Sequence, residues 1–176
     1  MKKLTAEWSL KTGSDERTGK IPATIRRATS GDCEGILACL QSAFEPFRAQ
    51  YTPGAYSDTV LSHNTLQQRL QEMAVLVAVH DSGEVIGTIG YKALKDGEGH
   101  LRGMAVIPPW QGSGVSQSLL DCAESYLRES GCNRITLDTT EPLKPAISFY
   151  LRNGFRATGR MADFFGMPLH EYEKRL

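Results

Sequence analysis

Two rhythms of apolar residues run along this chain. Ala74 to Val79 is apolar at every position, the pattern of a strand covered on both faces and therefore central in its sheet. A turn at Asp81-Ser82-Gly83-Glu84 follows. Val85 to Leu94 then alternates at Ile89, Tyr91 and Ala93, which predicts a strand antiparallel to the first. Lys95-Asp96-Gly97-Glu98-Gly99 is a second turn, and Leu101 to Ile107 a third strand. Beyond it the rhythm changes to a helical one. Val115, Leu119, Ala123 and Tyr126, flanked by Leu120 and Leu127, mark a helix from about Gly114 to Ser130 that stops at Gly131. Ile135 to Thr139 reads as a strand. Pro145 to Arg152 reads as a helix ended by Asn153-Gly154, with terminal strands near residues 155–159 and 169–174.

The first part of the chain is sparser. Thr24 to Ala28 predicts a strand. Ser30 and Asp32 offer caps for a helix whose stripe is Ile36, Leu37, Leu40 and Phe44, ended by Glu45-Pro46. Gln50 to Asp58 is rich in turn formers and aromatics and reads as a loop. A second helix spans about Asn64 to Glu72. The order is β-α-α-β-β-β-α-β-α-β-β, an α/β (α+β) single domain with about seven strands in a mixed sheet and about four helices. The first strands should be antiparallel. Those flanking the long helix should be parallel, because a helical crossover returns the chain in the same direction. Residues 1–23 read as a polar, mobile leader and 24–176 as the domain, without repeats.

Composition narrows the class. The 176 residues carry 40% apolar and 23% charged side chains, ordinary for a globular domain. Twenty acidic and twenty basic residues cancel, which argues against general nucleic-acid affinity. Met1-Lys2-Lys3-Leu4 has no apolar segment after it, and Met73 to Val79 is too short to cross a bilayer. A cytoplasmic protein with no membrane partner is expected. Cys33, Cys39, Cys122 and Cys132 form no C-x-x-C pair, and His63, His80, His100 and His170 fall in no ligand spacing. No metal is expected, and the cysteines read as partly buried thiols.

The chemistry concentrates where the third strand meets the long helix, at Met104-Ala105-Val106-Ile107-Pro108-Pro109-Trp110-Gln111-Gly112-Ser113-Gly114-Val115-Ser116. A strand, a glycine turn and a helix N-terminus gather backbone N–H groups at the positive end of the helix dipole, a site for a phosphate or pyrophosphate. The turn has no lysine, so it is not a P-loop. Gln117 stands where a dinucleotide fingerprint needs its third glycine. A glycine-rich connection without a ligand is the alternative.

Gln111-Gly112-Ser113-Gly114-Val115-Ser116 resembles the Q/R-x-x-G-x-G/A pyrophosphate loop of the GNAT superfamily, the acetyl-CoA-dependent N-acetyltransferases. Further on, Ala146-Ile147-Ser148-Phe149-Tyr150-Leu151-Arg152-Asn153-Gly154-Phe155 resembles that family's A-x-x-F-Y-x-x-x-G-F. The resemblance covers roughly residues 24 to 176. Ser116 replaces the last Gly/Ala of the first motif, and Leu143 stands where many relatives carry an asparagine near the pantetheine arm.

The resemblance implies acetyl transfer from acetyl-CoA to a primary amine by direct attack in a ternary complex. Gln111, Gly112, Ser113, Gly114, Val115 and Ser116 would hold the pyrophosphate. Met104, Ala105 and Val106 would offer backbone groups to the pantetheine arm, with the N–H of Val106 or a neighbour polarising the thioester carbonyl. Tyr150 matches the tyrosine that protonates the departing thiolate. It could instead pack on the helix with its hydroxyl bonded to backbone. A base for the amine is sought among Glu98, His100, Asp138 and Glu141, or in a water chain. Phe47, Tyr51, Tyr56, Glu45 and Asp58 could face the acceptor, with 163–168 as the opposite wall. The partners implied are acetyl-CoA and an amine, small molecule or peptide; a homodimer is a form the family often takes. A non-catalytic acyl-CoA-binding sensor with the same fold is the alternative.

Overall fold

The computed structural model describes residues 23–176, so the stretch read as a leader lies outside the described residues apart from Ala23. The chain runs β1 (Ala23–Arg27), α1 (Cys33–Phe44), α2 (Pro53–Val60), α3 (His63–Glu72), β2 (Ala74–His80), β3 (Val85–Ala93), β4 (Glu98–Val106), α4 (Val115–Glu129), β5 (Arg134–Thr140), α5 (Lys144–Arg152), β6 (Arg156–Phe164) and β7 (Met167–Arg175). Seven strands form one mixed sheet in the order β1-β2-β3-β4-β5-β7-β6. β2 is an interior strand, one place in from the β1 edge. No helix among the described residues is long and apolar enough to cross a membrane.

The described helices number five rather than four, because the segment read as a loop contains α2. The Thr52 side chain accepts the Ala55 N–H and Pro53 fills the first helical position, which starts the helix. Its burial is thin, at Ala55 and Val60. The turn between β6 and β7 holds it: Thr52 Oγ1 donates to Phe165 O at 2.8 Å, and Phe165 lies against Gly54. At the other end of α1 the caps differ from the reading of Ser30. Thr29 and Asp32 bond reciprocally around a short turn of Ser30–Asp32, and Asp32 also takes both guanidinium nitrogens of Arg26 at 2.8 Å.

β3 is buried from Val85 through Tyr91, so both its faces are covered. α1 and α4 both pack on it. Around it lies the core: Leu76, Ile86, Ile89, Leu119, Leu120, Leu127 and Ile135 are each 0% exposed.

The two parallel strands, β4 and β5, pair only from Glu98↔Arg134 to Leu101↔Leu137. Beyond Leu101, β4 stays with β3 and β5 stays with β7. The register of β3 against β4 shifts where Gly90 faces Arg102 and Thr88 faces Ala105, so two residues of β4 oppose Ile89 alone. Gly103, at φ 65°, absorbs this bulge. A sheet that is closed at one end of β4 is thus split open at the other.

Candidate active site

The split is the bottom of a cleft. On one side lies a cavity of about 530 Å³, walled by Met104, Ala105 and Val106 of β4, by Gln111, Gly112, Gly114 and Ser116 of the loop, and by Ala146, Phe149 and Tyr150 of α5. On the other side lies a cavity of about 280 Å³, walled by His100 and Arg102 of β4, by Asp138, Thr139 and Thr140 of β5, and by Asp58 and Arg69 from α2 and α3. Phe44, Met104, Leu143, Ala146 and Tyr150 line both. The two cavities therefore adjoin across the split and share a wall at Met104 and Tyr150. Leu143 walls the junction.

The loop has the conformation that its glycines allow. Gly112 and Gly114 stand at φ 76° and 96°, and Gly114 caps α4. Among the described residues, the N–H groups of Gly112, Gly114, Val115, Ser116 and Gln117 have no acceptor, and all of these residues but Val115 line the larger cavity. Two neighbours are tied up within the turn. Gln111 N–H donates to Pro108 O at 3.2 Å and Ser113 N–H to Trp110 O at 3.3 Å. The Gln111 side chain donates to Val106 O at 2.9 Å and so ties the loop to the strand end. Ile107 N–H bonds Ile86 O. By the alternation of a strand, the Val106 N–H points the other way, into the split.

Tyr150 is 7% exposed, and its hydroxyl lies 3.2 Å from Met104 Sδ. A thioether is a weak acceptor. The alternative of a hydroxyl bonded to backbone is not what the side chain does among the described residues. Burial pushes the phenol well above its ordinary value, so it keeps its proton at neutral pH.

The smaller cavity holds the titratable groups. His100 Nδ1 is 3.0 Å from Thr136 Oγ1. The Thr136 hydroxyl in turn donates to Glu98 Oε1 at 3.0 Å, so its lone pair is what faces the ring. With the hydroxyl so committed, the ring would carry its proton on Nδ1 and leave the lone pair of Nε2 free. Nε2 stands 3.9 Å from Asp138 Oδ2. Burial lowers the His100 pKa against the opposing pull of Asp138, and burial raises that of Asp138. Glu98 sits behind Thr136 and is paired with Arg134. Glu141 lies outside the cleft wall, 3.7 Å from His170, with three quarters of its side chain exposed. Of the four base candidates, the structure thus brings His100 and Asp138 to the cavity.

The aromatics of the segment before α3 separate. Phe47 lines the larger cavity and Tyr51 the smaller, with its hydroxyl 2.6 Å from Thr140 Oγ1. Tyr56 turns away to Glu45 at 2.9 Å. Asp58 does reach the smaller cavity, where it pairs with Arg102. Of the stretch 163–168 only Phe164 lines the smaller cavity, and Leu169, just beyond it, lines it too. Arg69, Arg102, Thr136 and Thr139 were not anticipated, since each meets its neighbours through pairings remote in sequence.

The family model described as "Acetyltransferase (GNAT) family" matches residues 36–155. The chain belongs to this family. It is 30% identical over 154 residues to the aminoglycoside N(6')-acetyltransferase type 1 of Stenotrophomonas maltophilia, covering 83% of this chain and 94% of that protein. It is 25% identical over 138 residues to the aminoalkylphosphonate N-acetyltransferase of Salmonella typhimurium, covering 75% and 84%. Among solved structures it is similar in fold to the PaiA N-acetyltransferase of Thermoplasma acidophilum, solved in complex with coenzyme A. The TM-score is 0.74 at 20% identity, over 88% of this chain and 99% of that one. The GNAT chain thus has relatives named for acetylating quite different amines.

Proposed function

We propose that this GNAT protein transfers an acetyl group from acetyl-CoA to a primary amine by direct attack in a ternary complex. The observation that carries this reading is the cleft whose two adjoining cavities share a wall at Tyr150. The larger cavity suits the donor. Its loop N–H groups and the α4 N-terminus would take the pyrophosphate, and the split edge of β4 would take the pantetheine amides as an added strand. The smaller cavity suits the amine, with Asp138 to attract the ammonium and His100 to take a proton.

The reaction then balances as follows. The bound ammonium first loses one proton through water to bulk solvent, and the neutral nitrogen then attacks the thioester carbonyl carbon while the Val106 N–H stabilises the oxyanion. As the C–N bond forms, the amine gives its proton to His100 Nε2. The C–S bond breaks with its electron pair on sulfur, and Tyr150 protonates the thiolate. Water returns a proton from His100 to Tyr150, leaving an amide and free coenzyme A. Glu98 and Thr136 act through His100 by holding the tautomer.

Direct transfer is preferred to an acyl-enzyme because no cysteine lines either cavity among the described residues. Burial pushes the Cys39 thiol up to about 12 and the Cys122 thiol up to about 11, so neither is a thiolate at neutral pH. The relatives differ in the acceptors they are named for, and what their names share is acetyl transfer to nitrogen. Initial-rate kinetics with both substrates varied test the reading. Intersecting double-reciprocal lines are expected. Parallel lines would overturn direct attack, and acetyl-CoA binding without thiol release in any amine would favour the sensor.

A further inference from the structure

The smaller cavity carries more positive charge than an amine needs. Arg69, half-buried, projects from α3 into its wall. Its Nη2 donates to the backbone carbonyl of Asp58 at 3.4 Å. Among the described residues no carboxylate lies within salt-bridge distance of Arg69. The carboxylate of Asp58, which lines the same cavity, is taken by Arg102, whose guanidinium lies on the same wall. Asp58 and the exposed Glu72 attract Arg69 only from beyond pairing distance. The desolvation and the repulsion from Arg102 lower Arg69 to about 10, where it is still protonated at neutral pH. A half-buried cation without a counter-ion is costly unless something completes it.

The fold makes room for this cation. A Cβ on Gly103 would lie 2.9 Å from Arg69 Nη1, and Gly103 is the bulge residue of β4. The same wall holds a second incomplete group. Thr139, 4% exposed, has a buried hydroxyl with no partner among the described residues. The opposite polarity sits in the same cavity, in Asp138 and Nε2 of His100. The cavity is therefore bipolar, and at about 280 Å³ it lies at the small end of ligand sites.

We infer that the acceptor is a small amine bearing an anionic group, a carboxylate or a phosphonate, with the anion on Arg69 beside Arg102 and the amine toward Asp138 and His100. A planar guanidinium binds either anion through paired N–H bonds, and Arg69 has N–H groups to spare. This deepens the acetyl-transfer reading and rests on it for the chemistry, although the anion subsite has its own test. The bipolar wall disfavours polycationic acceptors, which would bring ammonium groups against two guanidinium groups.

The test uses matched pairs. β-Alanine is compared with β-alaninamide, and 2-aminoethylphosphonate with ethanolamine; spermidine stands for polycations. Each is titrated by calorimetry into the full-length protein saturated with coenzyme A, and each is offered with acetyl-CoA for transfer. At least one anionic member should bind about 10-fold tighter than its neutral twin and be acetylated with about 10-fold higher kcat/KM. The pair that responds distinguishes carboxylate from phosphonate. Arg69→Gln should bring the ratio within the responding pair close to one, and Arg69→Lys, which keeps the charge, should preserve part of it; thermal melting checks that both variants fold. Equal or inverted preference in both pairs, preference for spermidine, no binding by any member, or a ratio unchanged in a folded Arg69→Gln would overturn the inference. Anion-selective binding without any acetyl transfer would instead refute the transferase reading and leave the subsite standing.

Discussion

His100 Nδ1 lies 3.0 Å from the hydroxyl of Thr136, 36 residues away in sequence, across the last paired rungs of β4 and β5. That hydroxyl is committed to Glu98, so the imidazole would present an unprotonated Nε2 to the cleft. His100→Gln should lower kcat about 100-fold or more, the low end of general base catalysis. Thr136→Val should cost about 10-fold, since it frees the wrong tautomer without removing the base. The activity of Thr136→Val should also show a shifted acid limb, which a purely structural role would not produce.

The pH profile of the native protein follows from the same geometry. The base works only when neutral, so kcat falls as pH drops through the His100 pKa. Burial lowers that pKa, so the midpoint of the acid limb should lie below the ordinary histidine value of about 6.5. Steady-state kcat between pH 5 and 9, with about three buffers to exclude buffer catalysis, reads it. A limb centred above the ordinary value, or one that persists in His100→Gln, would remove His100 from the mechanism.

Tyr150→Phe deletes the hydroxyl and leaves the ring among Phe149 and Phe155, at centroid distances of 5.5 and 5.4 Å. Stability should change little. The thiolate is already a fair leaving group, so kcat should fall about 10–100-fold while the affinity for acetyl-CoA holds. Equilibrium binding of coenzyme A alongside thiol-release rates separates the two effects.

Gly114→Glu places a side chain at φ 96° and a carboxylate beside the unpaired N–H groups of α4. The strain should cost about 1–2 kcal/mol. Acetyl-CoA affinity should be lost beyond measurement, through bulk and like charge. A folded Gly114→Glu protein with native affinity would move the donor site elsewhere.

Asp32 anchors the entry to α1 with Arg26 and Thr29. The Arg26 guanidinium holds its carboxyl well below the usual carboxylate range, against the cost of burial. A depressed folded pKa gives stability that is present above the unfolded value of about 3.9 and is lost as pH falls toward the folded one. Asp32→Ala should therefore destabilise by about 2–3 kcal/mol at neutral pH, by loss of charged hydrogen bonds, and by less at pH 3. Urea unfolding at the two pH values checks both size and direction.

The parts of this site that were legible in the sequence are those built by neighbours along the chain. The glycine loop, the α4 stripe and Tyr150 each lie within one turn or helix, and their spacing carries them. Thr52-Pro53 was a legible helix start too, but Pro53-Gly54 and the thin apolar content of α2 favoured a loop, and its packing on Phe165 is remote in sequence. β6 and β7 run longer than their sequence suggests because β6 is an exposed edge strand with almost no apolar alternation. The bulge at Gly103, the Arg69 guanidinium behind it and the His100–Thr136 contact depend on how β4 meets β3, α3 and β5. No local pattern encodes such pairings, so the glycine loop could be read before folding and the wall of the smaller cavity could not.

Isotope tracing shows whether the cleft joins an acetyl donor to an amine. The protein is incubated with acetyl-CoA labelled in the acetyl group and a pool of small amines, amino acids, aminophosphonates, polyamines and aminoglycosides, and the products are read by mass spectrometry with thiol release in parallel. A labelled N-acetyl product formed in step with free thiol is expected, and it should diminish in Tyr150→Phe. Tight acetyl-CoA binding with no labelled amine and no thiol above background would contradict acetyl transfer to an amine.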